Sequence, residues 1–419
     1  MGRRGAEWVG RLWRTEMTLS LMSPSLLALA AVTAIVMAAL EGPVRKVVFL
    51  GANVVFLWGL LLGPQGALST VLFAALGYAL TLAILRRPAR AFWLGLSAYV
   101  ALFVYMRKYD FLHWFVSDSL LTTTLATVGL SFLFFKVVHV MIEARCGTLG
   151  DLRLLTYLDY TLNFTTFMMG PIERYQDFSA QLEGRERPVP ATFESHLDAL
   201  LRMAVGFVKV YLVAPWFAYY LPENADVLTM SWRGLLVNIY GFYFFLYLNF
   251  AGYCDVMIGL SALLGLRPPE NFDKPFLARN ISDFWLRFHR SLTAWLTTYI
   301  FSPAYKWALG TRWLGPRPLL AANLAILLTM LVSGLWHGTT VSFLLFGLIH
   351  GLYFVVFRTW DALLIRLLGR QRLQEWRAWW PIQAAGVLVT FHAVAFSLIF
   401  FRLRPEAMLA IFARLMGGS

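Results

Sequence analysis

Long unbroken apolar runs recur along almost the whole chain, and they leave few folds open. They lie at 25–40, 47–63, 66–85, 91–106, 119–142, 152–170, 198–221, 234–266, 318–335, 340–358 and 383–402. That makes about eleven passages, set against the ~20 apolar residues a helix needs to cross a bilayer; the first two are short. In lipid, backbone N–H and C=O groups must be satisfied inside helices or a closed barrel. The runs are continuous and do not alternate at every second residue, which selects helices. Composition agrees: 59% of residues are hydrophobic and 14% charged, where soluble domains carry about a quarter. The expected fold class is an all-α polytopic membrane protein of the plasma (inner) membrane. One membrane-embedded domain over 24–419 is expected to follow a segment, 1–23, that mixes Arg3, Arg4, Arg11 and Arg14 with Trp8, Leu12 and Trp13. Such a mixture suits an amphipathic helix lying in the interface. The first apolar run follows this basic segment without a clean small-residue cleavage site, so it is read as retained.

The formal charge of +13 is mostly a matter of membrane orientation, since Lys and Arg collect in cytoplasmic loops. A basic groove for a phosphate-bearing donor accounts for part of the rest. No basic domain stands outside the apolar runs, so nucleic acid is not an expected partner. Arg45, Lys46, Arg86, Arg87 and Arg90 fall on one side, with the N-terminal arginines, Arg107 and Lys108 on the other, and the two nearly cancel. Cys146 and Cys254 are not spaced as a metal pair. The polar stretch 171–196 reads as a loop with a short surface helix.

Residues 267–317 break the pattern. Pro268, Pro269, Pro275 and Pro303 punctuate them, and between these Asn280–Tyr299 reads as one helix. Asn280 is placed to cap it, with Asp283 three residues on in a capping-box position. Trp285, His289, Leu292, Leu296 and Tyr299 recur at four- and three-residue steps and so share a face. Charges make a central spanning position costly. An oblique or re-entrant arrangement near 268–312 is expected instead, and irregular backbone at that depth needs protein or a water-filled cavity around it. A second histidine, His337, stands between Gly334 and Gly338 in "SGLWHGTTVSFLLFGLIHG". His350 follows thirteen residues later and is out of phase on a continuous helix.

An ionisable group in such a place is a functional candidate. A neutral histidine can also simply hydrogen-bond between helices, and His139 and His392 fit that reading; His113 and His196 are interfacial or loop residues. No Ser-His-Asp order, phosphate-cradling glycine loop or HExxH motif is present, and the histidines lack metal-site spacing. His289 and His337 are therefore the candidate catalytic pair, with histidine acting as general base on a hydroxyl. Trp285 and Trp336 are candidate donor- or substrate-binding residues, and an aromatic-walled cavity would keep water from a reactive thioester. Asn271, Lys274, Arg287 and Arg290 are candidate contacts to the donor's phosphates or to an acidic carrier. Capping, topology charge or pairing with Asp273 and Asp283 would account for the same four.

"ENFDKPFLARNISDFWLRFHRSLTAWL" followed by "SGLWHGTTVSFLLFGLIHG" resembles the membrane-bound O-acyltransferase family. The bacterial branch holding the D-alanyl transfer protein of teichoic acids and the alginate O-acetylation subunit is the most similar. "FMMGPIERYQDF" at 167–178, "NFAGYCDVMIGLSALLG" at 249–265 and "GLSFLFFKVVHVMIEARCG" at 129–147 extend the likeness over roughly 95–402. The resemblance implies a ring of helices around a central tunnel, with His337 as the family's histidine and His289 its partner. It implies transfer of an acyl group, D-alanyl or acetyl, from a thioester of coenzyme A or an acyl carrier protein to a hydroxyl of a cell-envelope polymer. No permanently bound cofactor is implied; membrane lipid, an acyl carrier protein and an extracytoplasmic acyl-transfer protein are the implied partners. Thr297 and Thr298 stand where branch members often carry Arg-Asp, and "IFSPAYKWALG" replaces the alginate subunit's glycine-rich tract. Two rival readings remain from the residues alone: a transporter of an acylated or lipid-linked intermediate, and a non-catalytic scaffold for the extracytoplasmic protein.

Overall fold

The computed structural model describes residues 23–40, 42–117, 129–186, 189–190, 192–219, 221 and 230–403, with 407, 408, 411 and 413. The amphipathic segment expected over 1–23 lies, apart from Ser23, outside the described residues, as does most of the start of the run 119–142. Among the described residues the regular structure is helical. The only pairing of extended backbone among them is an isolated antiparallel bridge between Phe272 and Phe288. Among the described residues five helical stretches are long and apolar enough to cross a membrane: Gly42–Arg86, Trp232–Leu263, Pro318–His337, Val341–Leu368 and Trp380–Arg402.

The chain divides into two compact units. The first takes the residues up to Pro215 together with Leu248–Pro269. In it α1 (Pro24–Ala38) starts on Ser23, whose hydroxyl accepts from Leu26 N at 3.3 Å. A wide helical turn, Phe56–Leu62, joins α2 (Gly42–Val55) to α3 (Gly63–Arg86). Gly63 has φ 66°, a conformation only glycine adopts freely, and Pro64 fixes the next turn. The break between the second and third apolar runs is thus local chemistry. Then come α4 (Pro88–Arg107), α5 (Leu130–Cys146), α6 (Leu154–Leu162), α7 (Tyr175–Leu182) and α8 (Phe193–Val208); a short α9 (Ala214–Tyr219) begins in this unit and has most of its residues in the second.

Two expectations fail in this unit. The run 152–170 is not one helix: α6 stops at Leu162, and residues 163–174 continue without regular structure yet almost wholly buried. Buried polar groups replace the helix bonds this backbone gives up. Asn163 Oδ1 accepts from Thr165 N at 3.1 Å, and Asn53 Oδ1 from Phe164 N at 2.9 Å. Lys136 donates to Tyr160 O at 2.9 Å and Thr166 Oγ1 at 2.8 Å. His139 Nε2 accepts from Tyr175 N at 3.0 Å, a structural task. The short helix expected at the surface within 171–196 is α7, and it is buried through Tyr175, Phe178 and Leu182.

The second unit takes Trp216–Tyr247 and the residues from Glu270 onward; α10 (Trp232–Leu263) contributes its first half here and its second half to the first unit. After Glu270 come α11 (Ile281–Arg287), α12 (Arg290–Leu296), a wide turn at Thr297–Phe301 and α13 (Ser302–Leu309), none long enough to span. The long hairpin α14 (Pro318–His337) and α15 (Val341–Leu368) follows, then α16 (Arg370–Ala378) and α17 (Trp380–Arg402).

Candidate active site

The single helix expected over Asn280–Tyr299 is broken at its centre. Its start is as expected: Asn280 Oδ1 accepts from Asp283 N at 2.9 Å. The Asp283 carboxylate reaches back to Arg279 N at 3.0 Å, one residue upstream of a capping-box partner. α11 then ends at Arg287, Phe288 is extended, and His289 has φ 50° and ψ 50° before α12 begins. The cause is a neighbouring backbone. Phe272 pairs with Phe288, Asp273 N donates to Arg287 O at 2.9 Å, and Arg290 N donates to Asn271 O at 3.0 Å. Asn271 Oδ1 takes both Ser291 N at 3.2 Å and the Ser291 hydroxyl at 2.6 Å. A left-handed non-glycine residue costs of order 1–3 kcal/mol and persists only where its surroundings over-determine it. Most of the stripe is buried all the same, with Trp285, His289, Leu292 and Leu296 each 7% exposed or less, while Tyr299 is only half-buried.

His337 is the last residue of α14. Its ring packs edge-on against Phe401 at 5.2 Å and Phe346 at 5.8 Å between centroids, and lies 4.6 Å from the Trp336 ring. Trp336 also meets the His289 ring at 6.0 Å. The two imidazoles therefore share one indole. They differ in access, His289 being 2% exposed and His337 only partly buried. Burial pushes the His289 imidazole down to about 3, and the charge of His337 adds to the effect. His289 is accordingly neutral near pH 7.

Trp285 is buried, and its indole N–H donates to Nδ1 of His350 at 3.3 Å. Arg287 pairs with Asp283 at 2.7 Å and stands 4.0 Å from Asp273, so the pairing alternative describes it. Asn271 is buried on Ser291. Lys274, at φ 47°, and Arg290 are exposed. His350 was missed by reasoning from helical phase, because the chain reverses between α14 and α15. A signal existed: "GLWHG" at 334–338 recurs as "GLIHG" at 347–351.

The model of the membrane-bound O-acyltransferase family matches residues 93–401. The chain belongs to that family. It is an O-acyltransferase and a multi-pass membrane protein. Teichoic acid D-alanyltransferase of Bacillus subtilis is 30% identical over 287 residues, 66% of this chain and 69% of that protein. The enzyme of the same name from Streptococcus thermophilus is 30% identical over 295 residues, 65% and 68% of the two chains. A probable alginate O-acetylase of Pseudomonas fluorescens is 29% identical over 279 residues, 64% of this chain and 51% of its own length.

Proposed function

We propose that this O-acyltransferase moves a D-alanyl or acetyl group from a pantetheine thioester, carried by coenzyme A or a small carrier protein, to a hydroxyl of a cell-envelope polymer. The observation that carries the reading is the shared indole of Trp336, with the accessible His337 on one side and the sealed, neutral His289 on the other. His337 takes the proton of the acceptor hydroxyl as its oxygen attacks the thioester carbon. The C–S bond breaks, and the proton passes from the imidazolium to the leaving thiolate. His289 holds the neighbouring wall in place and contributes no charge of its own. Trp336 keeps water from the thioester. Lys274 and Arg290, both exposed, are the residues best disposed to meet the donor's phosphates or an acidic carrier.

On this reading about eleven passages ring a tunnel in which donor and acceptor meet from opposite faces. The donor docks on the cytoplasmic side, and an extracytoplasmic partner receives or directs the acyl group. The names of the relatives support the two candidate acyl groups. The test is acyl transfer by the purified chain in lipid nanodiscs, with labelled acetyl-coenzyme A and with a D-alanyl carrier protein. His337→Ala is expected to lower the rate by about 10²–10⁴-fold. Movement of label across the bilayer with no acyl transfer, unaffected by His337→Ala, would establish the transporter reading instead.

A further inference from the structure

His350 lies one turn beyond Gly347 on α15 and is 1% exposed. Its two ring nitrogens are both engaged, and the partners fix which one carries the proton. The Trp285 indole is a donor only, so Nδ1, 3.3 Å from Trp285 Nε1, must offer its lone pair. The ring proton then sits on Nε2 and is donated to Ser397 Oγ at 2.9 Å. Ser397 Oγ donates in turn to Val394 O at 2.7 Å. Every proton in the chain Trp285–His350–Ser397–Val394 is assigned, and none is left to exchange with a substrate.

The mechanical consequence lies at the other end. Trp285 sits on α11, seven residues long, and His289 comes four residues later at the left-handed break. His337 and Trp336 belong to α14, which is packed against α15 at Gly334 and Gly347. The Trp285–His350 bond thus ties the element that delivers His289 to the hairpin that carries His337. Phe284 reinforces it, stacked on Phe288 at 5.1 Å and lying 6.5 Å from the His350 ring.

We propose that His350 is a positioning residue of the acyl transfer: it holds Trp285, and so the His289 turn, at a fixed distance from Trp336 and His337. This rests on the acyl-transfer reading given above. An asparagine at 350 places its amide at the site of Nδ1 and keeps an acceptor for Trp285. A glutamine reaches the Nε2 site and offers Trp285 nothing. The test compares His350→Asn, His350→Gln, Trp285→Phe and the double variant Trp285→Phe/His350→Gln as full-length chains in nanodiscs, with labelled acetyl-coenzyme A and D-alanyl carrier protein. His350→Gln and Trp285→Phe are each expected to lower kcat by about a hundredfold, the scale of an ångström-sized misplacement, with KM for the donor unchanged. The double variant should be no worse than either single one. His350→Asn should keep most of the rate and the wild-type pH profile.

An inactive His350→Asn, or one that has lost a limb of the pH profile, overturns the proposal in favour of a proton-transferring role. Wild-type kcat in all the variants also overturns it. The same set is read by thermal unfolding without substrate, where non-additive changes in Tm report the tether itself. If the wild-type chain transfers from neither donor while that Tm coupling holds, it is the reaction that was misread, and the positioning role falls with it.

Discussion

Gly334 and Gly347 face each other across the α14–α15 hairpin so closely that a Cβ on either would stand 3.2 Å from the other's Cα. The same Cβ would collide with a backbone carbonyl, that of Phe343 for Gly334 and that of Met330 for Gly347. Backbone cannot swing aside as a side chain can. Gly334→Ala and Gly347→Ala are therefore each expected to destabilise by about 1–3 kcal/mol and to cut activity, because His337 and His350 lie one turn from these contacts. Gly51→Ala, on a helix with nothing within 4 Å of the new methyl, serves as the control and should be neutral or stabilising by up to about 1 kcal/mol. Thermal unfolding in detergent checks all three.

Asn271 is the clamp on the His289 turn. Its Oδ1 accepts from both the amide and the hydroxyl of Ser291, and its own carbonyl takes Arg290 N. Asn271→Ala strands buried donors, each costing about 1–3 kcal/mol, and loosens the left-handed residue between them. Ser291→Ala removes one donor and leaves the acceptor still bonded to the Ser291 amide. The expected order of Tm is wild type, Ser291→Ala, Asn271→Ala, with kcat falling in the same order. Equal Tm for the two variants would show that the Ser291 amide contributes nothing.

The sequence was legible where local chemistry decides. Asn280 caps a helix because its side chain reaches only its own next turn. His289 and His337 stood out because each interrupts an apolar pattern. The break at His289 was not legible, since periodicity favours one helix and the Phe272–Phe288 bridge that overrides it comes from a separate segment. Residues 163–170 read as membrane helix for a similar reason: apolar content reports burial, not backbone conformation. His350 was judged by its angle to His337 on one helix, an angle that the reversal after Gly338 makes meaningless.

Lys136 is 1% exposed and holds the irregular backbone of the first unit through Tyr160 O and Thr166 Oγ1. Glu173, 4% exposed, lies within its electrostatic reach. Lys136→Met keeps the bulk and strands two buried acceptors, Tyr160 O and Thr166 Oγ1. Each buried group left unpaired costs about 1–3 kcal/mol, so a large fall in Tm is expected. Glu173 accepts from Gln181 Nε2 at 3.3 Å, so adding Glu173→Gln to Lys136→Met is expected to leave Tm near that of Lys136→Met. Scanning calorimetry of the three proteins measures this, and a double variant clearly more stable than Lys136→Met would show that a charge on Glu173 had been stranded.

His289 makes stability depend on pH with a definite sign. Its folded-state value is near 3, against about 6.5 for an unfolded histidine. As pH falls the unfolded chain binds the proton first, so the contribution of His289 is complete above about pH 6.5 and is lost as pH drops toward 3. Asparagine tolerates the left-handed conformation and does not titrate, so His289→Asn isolates the effect. Wild-type Tm should fall more steeply than that of His289→Asn between about pH 7 and pH 4. Unfolding curves of both proteins across that range decide it. Parallel Tm curves would mean that this imidazole is as well hydrated when folded as when unfolded, against its 2% exposure.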